Sequence, residues 1–133
     1  DHGPHHLWKS ITMDKLKITI QAMVPPYTYE DLDTALNIAE ACLEQGHEAR
    51  LFLFSDAILS SNSKLKPVRT DRNIPERMRL MIEEKGLRVD ICGICMDYRG
   101  MMREDAISGA EPSGLPELAE LIYSSDRFIN LMA

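Results

Sequence analysis

The segment VDICGICMDYRG, residues 89–100, decides the fold because it joins a strand pattern to a helix pattern through a glycine. Its first residues form an apolar, β-branched run, which is typical of a buried strand. Cys92 ends that run, Gly93 follows it, and Cys95 and Arg99 come after the glycine. A thiol near helix N–H groups and a cation can be held as a thiolate. The segment therefore predicts a strand, a turn and a helix, with a reactive thiol at the junction.

The alternation of strand and helix patterns extends along the rest of the chain. Strands are expected at residues 16–24, 48–54, 87–91 and 126–131, with a possible short strand at 105–108. Helices are expected at residues 29–45, 74–85 and 115–123, with Thr28 as the N-cap of the first and a helical turn at 57–59. Strands that alternate with helices indicate βαβ units. We predict a single-domain α/β protein with a mostly parallel sheet of about five strands and helices on both faces.

Composition excludes several classes of protein. A chain of 133 residues with a net charge of −6 is one domain and does not favour nucleic acid as its partner. No apolar run reaches the roughly 20 residues of a membrane span. Three cysteines do not form a disulfide framework, so a reducing, cytoplasmic setting is expected. Residues 1–12 hold three of the four histidines without any period and are interpreted as an artificial leader or a native flexible arm, leaving 13–133 as the α/β domain.

The Cys-x-x-Cys pair at Cys92 and Cys95 has three explanations. Structural zinc needs four ligands, and the body of the chain offers only Cys42, expected in the core, and His47, expected at the surface. A dithiol oxidoreductase of the thioredoxin type would carry the pair after its first strand. The third explanation is one nucleophilic cysteine that carries sulfur. A different class, a non-catalytic small-ligand-binding or assembly module with incidental thiols, also stays open, and no phosphate-binding loop or cofactor motif is present.

The two cysteines are expected to play unequal parts. Parallel sheets gather ligands and catalytic groups at the carboxyl ends of their strands, where Cys92 falls. Cys92 is therefore the predicted sulfur acceptor, with a pKa lowered by helix N–H groups and by Arg99, which would stabilise anionic sulfur. Cys95 is the auxiliary residue, which resolves or receives the sulfur or packs in the core. The polar residues 60–73 are expected to form either a solvated loop or a basic flap over the site.

Several of these residues also carry a resemblance to a known family. The segments Asp90-Ile91-Cys92, Arg99-Gly100, Ser113 to Ala119 and Asp126-Arg127-Phe128 resemble the DsrE/TusD sulfur-relay family over most of residues 17–132. The family pattern has an apolar residue in place of Cys95, so the chain resembles a two-cysteine subtype.

The resemblance implies a flavodoxin-like three-layer sandwich, Cys92 as the sulfur acceptor, and assembly into trimers or hexamers. It also implies exchange of sulfur with a TusA-like carrier or a rhodanese. The predicted function is thus a cytoplasmic sulfurtransferase or sulfur carrier. It would accept sulfane sulfur or a thiosulfonate on Cys92 and pass it to a partner thiol, with no cofactor and no metal.

Overall fold

The computed structural model describes residues 15–27, 30–67 and 72–132. Its strands are β1 Lys17–Ala22, β2 Glu48–Leu53, β3 Arg88–Cys92, β4 Ala110–Ser113 and β5 Arg127–Leu131. Its α-helices are α1 Asp31–Glu44, α2 Ile74–Lys85, α3 Gly93–Tyr98 and α4 Leu115–Ser124, with 3-10 helices at Ser55–Ser61 and Arg103–Asp105. The predicted N-cap Thr28 and the arm 1–12 lie outside the described residues.

The five strands form one parallel sheet in the order β4-β3-β2-β1-β5. The connections from β1 to β4 all step in one direction, so right-handed crossovers place α1, α2 and α3 on one face. The connection from β4 to β5 returns across the sheet and places α4 on the other face. The predicted three-layer α/β architecture is therefore confirmed.

The core lies between the sheet and the pair α1 and α2. Alternate residues of the central strands, such as Ile20, Leu51 and Ile91, are fully buried there. Leu36 of α1 and Met78 of α2 pack against them and are equally buried. Burying side chains of this size contributes about 1.5–3 kcal/mol each, so this layer holds the sheet in place for the site at its carboxyl edge.

Helix α2 begins and ends where its sequence indicates. The Asn73 side chain caps it by accepting a hydrogen bond from the Glu76 N–H at 3.1 Å, and Pro75 occupies the first turn, where a missing N–H costs nothing. Gly86 ends the helix with φ +80°, a conformation that favours glycine. The predicted range 74–85 is confirmed.

The fourth strand was predicted in the wrong place. Residues 105–108 are not a strand, because Asp105 ends a 3-10 helix and its carboxylate accepts the Met102 N–H at 2.9 Å. The strand is instead Ala110–Ser113, whose sequence AEPS has little β propensity. Pro112 is tolerated because β4 lies at the edge of the sheet.

The segment expected to be a solvated loop is buried at its start. Ser60 and Ser61 are fully buried, and their hydroxyls donate to the carbonyls of Ala57 and Ile58 at 2.6 and 2.7 Å. The predicted helical turn at 57–59 lies within the longer 3-10 helix that contains these serines.

Of the three basic residues of this segment that the structure describes, Lys64 and Arg72 are engaged with acidic neighbours, and Lys66 is exposed. Lys64 is 2.7 Å from Asp105, and the Arg72 guanidinium is bound to Asp33. Arg69 lies outside the described residues. These ion pairs argue against a free basic flap over the thiols.

His47 was predicted at the surface, but it is half-buried and links two elements. Its Nδ1 accepts the backbone N–H of Leu16 at 3.0 Å, which joins the end of α1 to the start of β1. Cys42, predicted in the core, is half-buried and packs against the core, and burial raises the pKa of its thiol.

No helix in the described part of the chain is long and apolar enough to cross a membrane.

The sheet face covered by α4 carries a buried arginine. Arg50 is 8 % exposed, and its Nε donates to the Thr19 hydroxyl at 3.1 Å. Its Nη2 donates to the Leu121 carbonyl and the Ser125 hydroxyl at 3.1 and 2.7 Å. Since Leu121 lies in the last turns of α4, the guanidinium also compensates the negative end of that helix.

Candidate functional site

Cys92 stands at the junction that the sequence predicts. It is the last residue of β3 and the N-cap of α3, and it is 6 % exposed. Its Sγ accepts the backbone N–H of Cys95 at 3.4 Å. The sulfur therefore occupies the place that a serine or aspartate oxygen takes at other helix starts.

Cys95 is brought to Cys92 and is held from a distant part of the chain. Its Sγ accepts the backbone N–H of Ser55 at 3.2 Å, and the residue is 8 % exposed. Ser55 is the second residue after β2 and has φ +56°, which is uncommon for a residue with a side chain. Such strain persists only where neighbouring structure holds it in place. Both thiols are free.

Arg99 contacts an acidic side chain and a backbone carbonyl near the thiols. Its Nε donates to the Asp56 carboxylate at 2.8 Å, and its Nη1 donates to the carbonyl of Cys95 at 3.1 Å. Among the described residues, neither thiol receives a hydrogen bond from this guanidinium. Arg99 therefore ties α3 to the 3-10 helix after β2, and in this state its charge is balanced by Asp56.

The predicted lowering of the Cys92 pKa is wrong for this structure. Burial, and after it the neighbouring Cys95 thiol, raise the pKa of Cys92, while the N–H groups of Cys95 and Ile94 lower it by less. Desolvation penalises the charged thiolate and outweighs the helix N–H groups. The resting Cys92 is thus a protected neutral thiol at neutral pH.

A polar group on the α4 face supports the strand that carries Cys92. Asp90, two residues earlier in β3, is buried and accepts hydrogen bonds from Arg88 at 2.8 Å and from the Ser113 hydroxyl at 2.5 Å. Ser113 is the register partner of Cys92 in β4. A Cβ added to Gly93 would lie 3.3 Å from the Ser113 carbonyl oxygen, so the glycine allows β3 and β4 to approach closely at the site.

An open cavity of about 450 Å³ adjoins the start of α3. It is lined by Gly93, Ser113, Asp97 and the apolar side chains of Ile94 and Met102, which are largely exposed. Exposed apolar side chains beside a buried thiol provide a surface that another molecule can cover. Among the described residues, no three histidine, cysteine or acidic side chains are grouped closely enough to hold a metal ion.

Two residues near the thiols, Ser55 and Asp56, were not predicted from the sequence. Ser55 donates to Cys95, and Asp56 binds Arg99, yet both are about forty positions away from α3. The available signal was positional, because these residues follow β2 and the carboxyl ends of parallel strands share one edge. Nothing in their residue types indicates a sulfur contact.

The sequence matches the DsrE/DsrF-like family model over residues 16–131. It is 29 % identical over 126 residues to the putative sulfurtransferase DsrE of Allochromatium vinosum, covering 86 % of this chain and 97 % of the relative. It is 25 % identical to the sulfurtransferase TusD of Klebsiella pneumoniae, covering 86 % and 98 %. The crystal structure of the Escherichia coli YchN protein superposes with a TM-score of 0.80 at 33 % identity, covering 87 % and 99 %. The chain belongs to the DsrE/DsrF-like family.

Proposed function

We propose that the protein is a sulfurtransferase or sulfur carrier that accepts sulfur on Cys92 and passes it to a thiol of a partner protein. The observation that carries the proposal is a free thiol at the carboxyl end of β3, in a member of a family whose named relatives include sulfurtransferases. The Cys92 thiol loses its proton to solvent, and the thiolate attacks the outer sulfur of a donor persulfide, so that the donor's S–S bond breaks and its thiolate leaves. With tetrathionate the thiolate attacks an inner sulfur, the central S–S bond breaks, and thiosulfate leaves.

The burial of Cys92 is consistent with carrying sulfur rather than reacting freely with small molecules. A thiol with a raised pKa presents little thiolate at neutral pH, so it reacts with oxidants and small disulfides more slowly than an exposed thiol does, and an excess of a small sulfur donor is needed to load it. A partner that covers the exposed apolar residues Ile94 and Met102 would bring its own sulfur to the start of α3, where Cys92 lies. The proposal also places the protein in the cytoplasm as an oligomer. Its partner in sulfur exchange would be a small sulfur-carrier protein or a rhodanese.

Single-cysteine variants test the assignment by intact-mass spectrometry. The chain has three cysteines, so Cys42→Ser with Cys95→Ser leaves only Cys92. After incubation with glutathione persulfide or tetrathionate, this variant should gain about 32 or about 112 Da, the mass of one sulfur atom or one thiosulfonate.

The matched control keeps only Cys42, a half-buried thiol on α1. It should gain mass more slowly at the same donor concentration, because burial raises the pKa of its thiol and, among the described residues, no helix N–H group opposes that rise, as the N–H groups of Ile94 and Cys95 do at Cys92. Equal labelling of the two variants, or no labelling of the Cys92 variant by any donor, would refute the proposed function.

A further inference from the structure

The two thiols of the site are placed to react with each other. Cys92 is the N-cap of α3 and Cys95 is its third residue, so helix geometry puts their Cα atoms about 5 Å apart. This separation lies within the range of about 4.4–6.8 Å that a disulfide requires. The N–H of Cys95 already contacts the Cys92 sulfur at 3.4 Å.

The sulfur of Cys95 is positioned by residues outside α3. The Ser55 N–H donates to it at 3.2 Å, which fixes the direction of the Cys95 side chain. Arg99 bonds to the carbonyl of Cys95 and to Asp56, which fixes α3 against the 3-10 helix that begins at Ser55. A purely packing role for Cys95 would need neither a strained backbone donor nor this ion pair.

We infer that Cys95 discharges the sulfur held on Cys92 as hydrosulfide, forming a Cys92–Cys95 disulfide. The inference rests on the proposed function, because it requires a persulfide on Cys92. It assigns a second outcome to the carried sulfur, besides transfer to a partner thiol.

The step balances within the site. The Cys95 thiolate attacks the inner sulfur, Sγ of Cys92; a bond forms between the two Sγ atoms, and the bond from Cys92 Sγ to the outer sulfur breaks. The outer sulfur leaves with the bond's electron pair as hydrosulfide, so it is reduced and the two cysteines are oxidised to a disulfide. The proton lost by the Cys95 thiol passes to solvent. A dithiol reductant restores both thiols before the next cycle.

Because Cys92 is buried, discharge by Cys95 competes with transfer of the sulfur to a partner thiol. Solvent thiols reach Cys92 poorly, since it is 6 % exposed, whereas Cys95 is a permanent neighbour. A persulfide that meets no partner is therefore discharged internally. A partner thiol must arrive faster than this reaction in order to receive the sulfur.

The test compares two variants that both lack Cys42. One retains Cys92 and Cys95, and the other retains Cys92 alone; each is loaded with glutathione persulfide and freed of donor. In the first variant the mass increase of about 32 Da should disappear at least about tenfold faster, leaving a chain about 2 Da lighter than the reduced one. One hydrosulfide should be released per sulfur loaded, and peptide mapping should place the disulfide between Cys92 and Cys95.

Two further measurements keep the outcome interpretable. A Cys95→Ala variant repeats the comparison if the serine variant does not fold, and hydrosulfide release from the chain with both thiols needs no comparison variant. Equal persulfide lifetimes in the two variants would overturn the inference while leaving Cys92 as the acceptor. Migration of the sulfur to Cys95 without hydrosulfide release would overturn it as well. If the Cys92-only variant takes up no sulfur at all, the proposed function itself has failed.

Discussion

Substitution of Gly109 by alanine tests how the turn before β4 packs on α2. Gly109 has φ +92°, and a Cβ built on it would lie 2.6 Å from Cγ2 of Ile82. The left-handed backbone alone costs a residue with a side chain about 1–2 kcal/mol. Because Ile82 is β-branched and lies on a helix, its χ1 angle is fixed and the methyl group cannot swing away. Overpacking of this kind adds about 1–3 kcal/mol.

Gly46 provides a matched control because it has nearly the same backbone and no neighbour. Its φ is +88°, and nothing lies within 4 Å of an added Cβ. Gly46→Ala should therefore lower the free energy of unfolding by about 1 kcal/mol, and Gly109→Ala by about 2–4 kcal/mol, once the smaller entropy of the unfolded alanine chain is included. The reduction in unfolded-state entropy is the same for both variants, so the difference between their losses of stability isolates the contact with Ile82.

Urea denaturation followed by circular dichroism measures both values. The m-value should be unchanged, since neither substitution alters the surface exposed on unfolding. Equal losses of stability in the two variants would show that the turn moves away from α2 without cost. In that case the close packing at Gly109 does not fix the position of β4.

Two other predictions concern the buried arginine and the site thiol. Arg50→Met should change the free energy of unfolding by less than about 1 kcal/mol. The Thr19 and Ser125 hydroxyls, which accept hydrogen bonds from Arg50, stay bonded to each other at 2.6 Å when the guanidinium is removed. Thr19→Val should lower the free energy of unfolding by about 1–3 kcal/mol, because it leaves the Arg50 Nε–H buried without an acceptor. A denaturation experiment in which Arg50→Met lowers the stability more than Thr19→Val would contradict this account. Because the pKa of Cys92 is raised in the folded chain, its protonated thiol contributes its full share of stability when the pH is below the ordinary thiol pKa of about 8.5. This contribution is lost as the pH rises through the raised pKa. The stability difference between wild type and Cys92→Ser should therefore shrink in alkaline solution, and a difference that grows there would contradict the raised pKa.

The parts of the fold that depend on local chemistry could be predicted from the sequence. Asn73, Pro75 and Gly86 each set a boundary of α2 through their own backbone or side-chain preferences, and the structure has those boundaries. Strand β4 depends instead on its place beside β3. Its sequence AEPS contains no β-branched or aromatic residue and is too short to establish a period, so only the completed sheet makes it a strand.

The site divides in the same way. The strand-to-helix junction at Cys92 and the nearness of Cys95 follow from spacing, and both are found. The sign of the Cys92 pKa shift and the partner of Arg99 depend on burial and on Asp56, which is 43 positions away in the sequence. A pattern within residues 89–100 does not show how deeply Cys92 is buried in the fold, and the carboxylate that binds Arg99 comes from the segment after β2.

Proline at position 112 has a consequence for how other molecules can approach the thiols. Strand β4 is the outer strand on the side of the sheet that carries Cys92, and it is only four residues long. Pro112 has no N–H to offer, so this edge is a poor template for an added strand of another chain. Sheet extension and the fibrous aggregation that follows from it are thereby disfavoured beside the site. Another chain that approaches Cys92 from this edge would have to be recognised through side chains rather than through backbone pairing.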